Sequence, residues 1–277
     1  FLKVQDGCDY NCSFCTIPMA RGKSRSNIIE NVLSEIKKIK NAGVKEIVLT
    51  GINLGDFGKD GNGIKTEDNF YSLLQAIEKN DGVERYRISS IEPNLLTEEI
   101  IRFAAGSKKI MPHFHIPLQS GSNKILGMMR RRYRRELYAE KVEMIKKLIP
   151  DCCIGVDVIT GFPGETEKDF KETVDFLISL DISYLHVFTY SERANTHALD
   201  IEPIVPVHIR HERTKVLRSL SYNKMQQFTR AHSGETRKVL FEGKTKNGMM
   251  EGYSDNYIKI TIPHKEDWVN EIIEWEI

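Results

Sequence analysis

The chain has 277 residues, of which 40 are basic and 39 acidic, for a formal net charge of +1. That length holds one large α/β domain with a small appendix. So balanced a charge says nothing about nucleic acid, where only local clustering counts. No apolar run approaches the roughly 20 residues of a membrane span, and no secretory leader is visible, so no membrane partner is expected.

Short β-rich runs alternate with helical patterns about six times along the chain. Phe1 to Gln5 reads as a strand. It opens on Phe rather than Met, so a fragment is expected whose N-terminal part is not included. A cysteine-rich loop follows, then a helix near Asn27 to Ala42 with Ile28, Val32, Leu33, Ile36 and Ile39 at 3–4 spacing. Glu46 to Thr50 is a strand and Phe70 to Lys79 a helix; Arg85 to Ser89 is a strand, and Thr97 N-caps Glu98 to Ala105. His113 to Leu118 is a strand, followed by a helical stretch broken near Tyr133 and ending at Pro150. Ile154 to Thr160, a helix from Thr166 to Leu180, Ser183 to Tyr190 and a helix from Val207 to His232 complete the series. The last helix shows a stripe of Val216, Leu217, Leu220, Lys224 and Phe228. Strands alternating with helices imply βαβ units and a parallel sheet, and six units fall short of the eight that close a barrel. After His232 come four short β-like runs with Gly and Asn turns, too small for much core of their own. The expected domains are therefore 1–232 and 233–277, the second cut short within a strand-like run.

Cys8, Cys12 and Cys15 form a CxxxCxxC loop after the first strand. Zinc sites of this size want four ligands in a tetrahedron, and no second CxxC or HxxxH pair follows. A disulfide framework suits a small secreted chain. A [4Fe–4S] cube is usually held by four cysteines. Three would leave one iron for an exogenous chelate, a role that suits the amino and carboxylate groups of S-adenosylmethionine. Cys152 and Cys153, adjacent in an apolar run, read as core. Free thiolates point to a reducing compartment, and a cytoplasmic location is expected.

Other motifs fall at strand ends, where parallel α/β barrels carry their chemistry. Thr50 to Gly58 is a Gly-rich turn, which is either an ordinary connection or a close approach to a small ligand. Glu92, before Pro93, is either a solvated carboxylate or an acceptor facing a substrate or S-adenosylmethionine. Gln119 and Ser120 offer donors and acceptors suited to a ribose. Arg130 to Arg135 holds five arginines in six positions. A solvated face needs fewer, and arginine forks match carboxylate and phosphate. Arg131 is expected to face inward to a carboxylate, with others free for RNA phosphates.

Together these motifs resemble the radical SAM enzymes, and within them the methylthiotransferase branch. The resemblance covers essentially the whole chain. It is carried by GCxxxCxFCxIPxARG, His115-Ile116-Pro117-Leu118-Gln119-Ser120-Gly121-Ser122, Met129-Arg130-Arg131, GFPGET and Tyr190-Ser191. It implies an open (β/α)6 partial TIM barrel with a small C-terminal β-barrel similar to a TRAM domain. It implies a [4Fe–4S] cluster on Cys8, Cys12 and Cys15. Thr50, Gly51 and Asn53 would then meet the methionine end of S-adenosylmethionine, with Glu92, Gln119, Ser120 and Arg131 around it and Phe14 near its adenine. Thr50 to Gly55, Ser89 to Pro93 and Arg193 resemble the MtaB type, which acts on N6-threonylcarbamoyladenosine 37 of tRNA. The MiaB type, acting on isopentenyladenosine, and the RimO type, acting on a ribosomal-protein aspartate, are the alternatives. A non-catalytic RNA-binding module is the alternative of another class. The resemblance further implies a tRNA anticodon stem-loop as partner, an electron donor such as a flavodoxin or ferredoxin, and a monomer. A second cluster is expected only in an N-terminal domain that this chain does not include.

Overall fold

The computed structural model describes residues 1–245 and 247–277. In chain order the elements are β1 (Leu2–Lys3), β2 (Gln5–Asp6), α1 (Ile17–Arg21), β3 (Arg25–Ser26), α2 (Ile29–Asn41), β4 (Glu46–Thr50), α3 (Phe70–Lys79) and β5 (Arg85–Ile88). There follow α4 (Glu98–Gly106), β6 (His113–His115), α5 (Asn123–Met128), α6 (Arg135–Leu148), β7 (Cys153–Thr160), α7 (Glu167–Ser179), β8 (Tyr184–Thr189) and α8 (Val207–Ala231). The chain ends with β9 (Thr236–Lys244), β10 (Met249–Ser254), β11 (Lys259–Pro263) and β12 (Ile272–Glu276).

Local chemistry sets these boundaries. Asn69 and Ser72 form a reciprocal capping box at the start of α3, and Thr166 and Asp169 form one at α7. Thr97 accepts the Ile100 N–H and opens α4 as expected. The helix face of α3 that carries Phe70, Leu73, Leu74 and Ile77 is buried against the strands. On α8 the expected stripe holds only in part. Leu217 is buried, but Val216 is exposed, and the buried face instead carries Arg210, Arg213 and Thr214. These groups serve polar partners of the loops after β7 and β8, which an apolar pattern cannot reveal.

Strands β1, β4 and β5 run parallel in that order, as do β6, β7 and β8. Parallel bridges from Tyr86 to Ile110 and from Ser90 to His115 join the two halves, so the arc follows chain order. Among the described residues β1 and β8 do not pair, and the sheet does not close. The main core, centred on Leu49, Ile88, Phe114 and Val156, lies between the strands and the helices. No helix among the described residues is long and apolar enough to cross a membrane.

The last four strands make an antiparallel sheet in the order β11-β10-β9-β12, with its own small core of Val239, Phe241, Met250 and Ile262. It is bolted to the arc by buried arginines. Arg87 donates to Glu46 at 2.7 Å, to the Asp255 carbonyl at 2.9 Å and to the Ser254 carbonyl at 2.7 Å. Arg85 donates to the Lys238 carbonyl at 2.7 Å. Truncating one member of a buried, hydrogen-bonded charge pair strands the other. Arg87→Ala is therefore expected to lose about 3–5 kcal/mol of stability, read from the midpoint of urea unfolding, with the C-terminal sheet becoming protease-sensitive first.

Candidate active site

The three cysteines lie in a lasso. The antiparallel pair β2–β3, Gln5 with Ser26 and Asp6 with Arg25, closes its neck. Gly7 sits just inside at a φ of 71°, and a Cβ there would lie 2.0 Å from the Lys23 carbonyl oxygen. Only glycine lets the two sides of the neck meet. The far end of the lasso is pinned by Ser13, which donates its N–H to the Met129 carbonyl at 3.1 Å and its hydroxyl to the Met128 carbonyl at 2.8 Å.

Gln5 joins this lasso to the turn after β4. It is 1% exposed. Its amide donates to the Gly7 carbonyl at 2.8 Å and to Ser24 Oγ at 2.9 Å, and its Oε1 accepts the N–H groups of Ile52 and Asn53, both at 2.9 Å. Gly51 is small because Gln5 is there: an added Cβ would lie 2.8 Å from Oε1.

Each thiol faces one N–H donor. Tyr10 N lies 3.4 Å from Cys8 Sγ, Ile17 N 3.4 Å from Cys15 Sγ, and Arg131 Nη1 3.2 Å from Cys12 Sγ. None of the three is in a disulfide. Burial pushes the Cys8 thiol up to about 11 and raises that of Cys12, which the Arg131 guanidinium opposes. Metal binding must therefore displace protons. Among the described residues no three His, Cys, Asp or Glu groups converge as ligands of a single ion. A cube does not ask for that, since each thiolate takes a different iron. Soft sulfur donors, with an N–H already aimed at each, fit an iron–sulfur cluster.

Arg131 is the centre of the remaining network. It pairs with Glu92 and donates its Nε to Tyr133 Oη at 3.1 Å, besides reaching Cys12. Tyr133 in turn donates to the carbonyls of Pro117 and Leu118. One guanidinium thus ties together the segments after β2, β5 and β6. The Arg131 side chain is buried, and its partners within the chain are Glu92, Cys12 and Tyr133. Asn53 is 2% exposed, and its side-chain oxygen and nitrogen both lack a hydrogen-bond partner. A buried amide of this kind needs a partner, and the Tyr10 hydroxyl is its polar neighbour.

Other expected residues stand elsewhere. Ser120 is buried and bonds Thr173 on α7 at 3.2 Å, so its hydroxyl braces a helix and is not offered to a ribose. Gln119 holds a φ of 70°, and its backbone pairs with β7, while its side chain has no partner among the described residues. The Thr50 carbonyl accepts Val4 N at 2.9 Å. Phe14 meets Phe162 edge-on at 6.3 Å, and Phe162 meets Tyr190 likewise at 5.6 Å, an apolar wall beside the lasso. The arginine run divides. Arg132 lies 4.1 Å over the Tyr10 ring and donates to the Asp9 carbonyl, Arg135 donates to the Gly121 carbonyl, and Arg130 and Arg134 are exposed. Gln5 and Ser13 were not anticipated. Their signal lay in position alone, as polar residues flanking and interrupting a cysteine motif.

The profile of the radical SAM superfamily matches residues 2–177. The chain belongs to the radical SAM superfamily. Solved radical SAM proteins share this fold. The methyltransferase TsrM from Kitasatospora setae gives a TM-score of 0.56 at 18% identity, over 68% of this chain and 36% of its own. Methylornithine synthase gives 0.52 at 15% identity, over 79% of this chain and 61% of its own. Among curated relatives, the threonylcarbamoyladenosine tRNA methylthiotransferase MtaB of Bacillus subtilis is 40% identical across 100% of this chain. Its Aquifex aeolicus counterpart is 42% identical across 94% of this chain. A tRNA-2-methylthio-N(6)-dimethylallyladenosine synthase of Clostridium tetani is 35% identical across 100%. The chain spans 61% of the length of each of these three relatives.

The Gln5 carboxamide carries a direct prediction. Gln5→Leu leaves the Ile52 and Asn53 N–H groups buried without an acceptor, at about 1–3 kcal/mol each. The variant is expected to melt earlier and to be cut by trypsin within 7–24, where Arg21 and Lys23 lie, faster than the parent.

Proposed function

We propose that this chain is the cluster- and S-adenosylmethionine-binding part of a tRNA methylthiotransferase acting on N6-threonylcarbamoyladenosine 37. The observation that carries the reading is likeness over 100% and 94% of the chain to two enzymes of that activity, at 40% and 42% identity, in a chain whose three-thiol lasso is intact. In this reading the unclosed arc is the open (β/α)6 partial TIM barrel, 1–232, and the antiparallel sheet is a TRAM-like unit, 233–277. The anticodon stem-loop is the partner, a flavodoxin or ferredoxin the electron source, and the cytoplasm the location.

Cys8, Cys12 and Cys15 would hold a [4Fe–4S] cluster, and such a group would supply the one-electron chemistry on S-adenosylmethionine that opens an unreactive C–H bond. The chain's own groups hold and shield this chemistry. Arg131 keeps a positive charge and an N–H on Cys12 while Glu92 holds the guanidinium in plane. Asn53 offers its free amide to the amino acid end of the nucleotide cofactor. Phe14, Phe162 and Tyr190 keep water from the far side of the lasso.

Three outcomes test this. After anaerobic reconstitution, Cys8→Ala, Cys12→Ala and Cys15→Ala should each lose the cluster iron, while Cys152→Ala, whose thiol is buried in the core, should keep it. Full iron in the Cys12 variant refutes the site. Arg131→Lys removes the fork, and loss of such an outer partner costs about 10- to 100-fold in metal retention; iron remaining after a chelator challenge measures it. Nucleoside mass spectrometry of tRNA from a deletion strain should show the 2-methylthio group missing from threonylcarbamoyladenosine. Its loss from isopentenyladenosine instead would assign the dimethylallyl type.

A further inference from the structure

Below the cysteine site, the inner face of the arc holds a separate cavity of about 490 Å³, closed on one side by the C-terminal sheet. No cysteine of the lasso lines it. Its walls are aromatic. Tyr253 stacks on Tyr257 at 4.9 Å and 22°, and Tyr257 lies 4.2 Å from His113 at 30°. A second hollow of about 320 Å³ lies toward α8 and shares Tyr184, His186, Tyr253 and Tyr257 with the first. The ring wall therefore borders open space on two sides.

Polar groups in this cavity lack partners. His113 is 6% exposed, with Nε2 3.0 Å from Tyr184 Oη and Nδ1 unpaired. Ser89 Oγ and Glu46 Oε2 are buried and also without a hydrogen bond, although Arg85 Nη1 stands 3.9 Å from the carboxylate. Buried polar atoms of this kind call for a partner. The set selects against an anion. All three nitrogens of Arg87 are engaged by Glu46 and two carbonyls, and a carboxylate faces the space. It suits a flat group with N–H donors and ring acceptors along its edge. Aromatic faces, a carboxylate, a hydroxyl and a neutral imidazole are how proteins hold an unstacked nucleobase.

We propose that this cavity receives an unpaired nucleobase of RNA, stacked on the Tyr253–Tyr257 pair with its edge on Glu46, Ser89 and His113. The proposal rests on the reading that RNA is the substrate. An enzyme working on one base must take it out of the stack, and a neighbouring base of the loop is then also free to be held. His115, bonded to Ser90 at 2.7 Å and to Asp157 at 2.9 Å, borders the cavity on β6. That strand continues into the Pro117–Leu118 segment that Tyr133 holds below Arg131. The base in the cavity would therefore lie on the same strand as, and several residues below, the segment that faces the cysteine site.

The test uses a fluorescein-labelled RNA hairpin with a single-stranded loop, read by anisotropy across a salt series. Tyr253→Leu should weaken binding about 5- to 150-fold, the measured range for one stacked base. The slope of affinity against salt should not change, because no phosphate contact is removed. Tyr253→Phe should restore binding, and Ser89→Ala should weaken it. In the parent protein, 2-aminopurine at one loop position should be quenched on binding, a measurement that needs no variant. Affinity unchanged in both Tyr253→Leu and Ser89→Ala, or a loss accompanied by a flatter salt slope, overturns the proposal, as does a parent protein that does not bind the hairpin. Failure of the enzymatic reading looks different: methylthio nucleosides persist in the deletion strain while the Tyr253 dependence of binding remains.

Discussion

The site depends on one buried cation. The Arg131 side chain is 4% exposed, and a guanidinium at that depth is tolerated only if its donors are all directed to partners. It meets that demand with Glu92 from the segment after β5, Cys12 from the lasso after β2, and Tyr133, whose hydroxyl rests on the carbonyls after β6. Moving any of these segments outward would leave a charge in the interior without its counterpart. The geometry of three strand ends is therefore set by the stereochemistry of one planar group, which a lysine could not reproduce.

The same logic recurs lower in the arc. Six parallel strands that do not close leave an inner face that cannot be filled with aliphatic side chains as in a full barrel. The chain places Arg85, Arg87, Glu46 and the histidines there and then covers them with the C-terminal sheet. Arg87 is satisfied by one carboxylate on β4 and two carbonyls at the end of β10. The small sheet is therefore part of the solvation of the larger unit's interior, and the two share their energetics although each has its own apolar core.

Much of this was legible in the sequence, for physical reasons. Period and capping chemistry are local, so α3 falls on Phe70–Lys79 as its pattern requires, and Thr97 caps α4. The break in the helical stretch near Tyr133 is visible because Arg130 adopts a left-handed backbone at a φ of 57° between α5 and α6. The cysteine triplet is legible because its spacing is itself the chemistry. What was not legible is whatever depends on a partner far along the chain. Ser120 offered donors and acceptors, but Thr173 takes them. Arg132 read as a free charge, but the Tyr10 ring lies beneath it. Gln5 is an ordinary residue at a strand end until the fold brings Gly7, Ser24 and Asn53 around its amide.

The missed residues also explain how the cysteine loop keeps its shape with no group bound to it. Burial holds the Cys8 and Cys12 thiols above their ordinary range, and three thiolates placed together would repel one another. A loop that relied on its cluster for form would collapse in the protonated state. Here the neck is closed by the β2–β3 pair, the near wall by the Gln5 amide and the far wall by Ser13, none of which changes charge on metal binding. Iron bound there would displace the thiol protons, and the N–H groups of Tyr10, Ile17 and Arg131 already point at the sulfurs that would become negative. Preorganisation of this kind shifts the entropy cost of ordering the loop from assembly to folding, and it makes the neutral residues around the cysteines as necessary to the site as the thiols themselves.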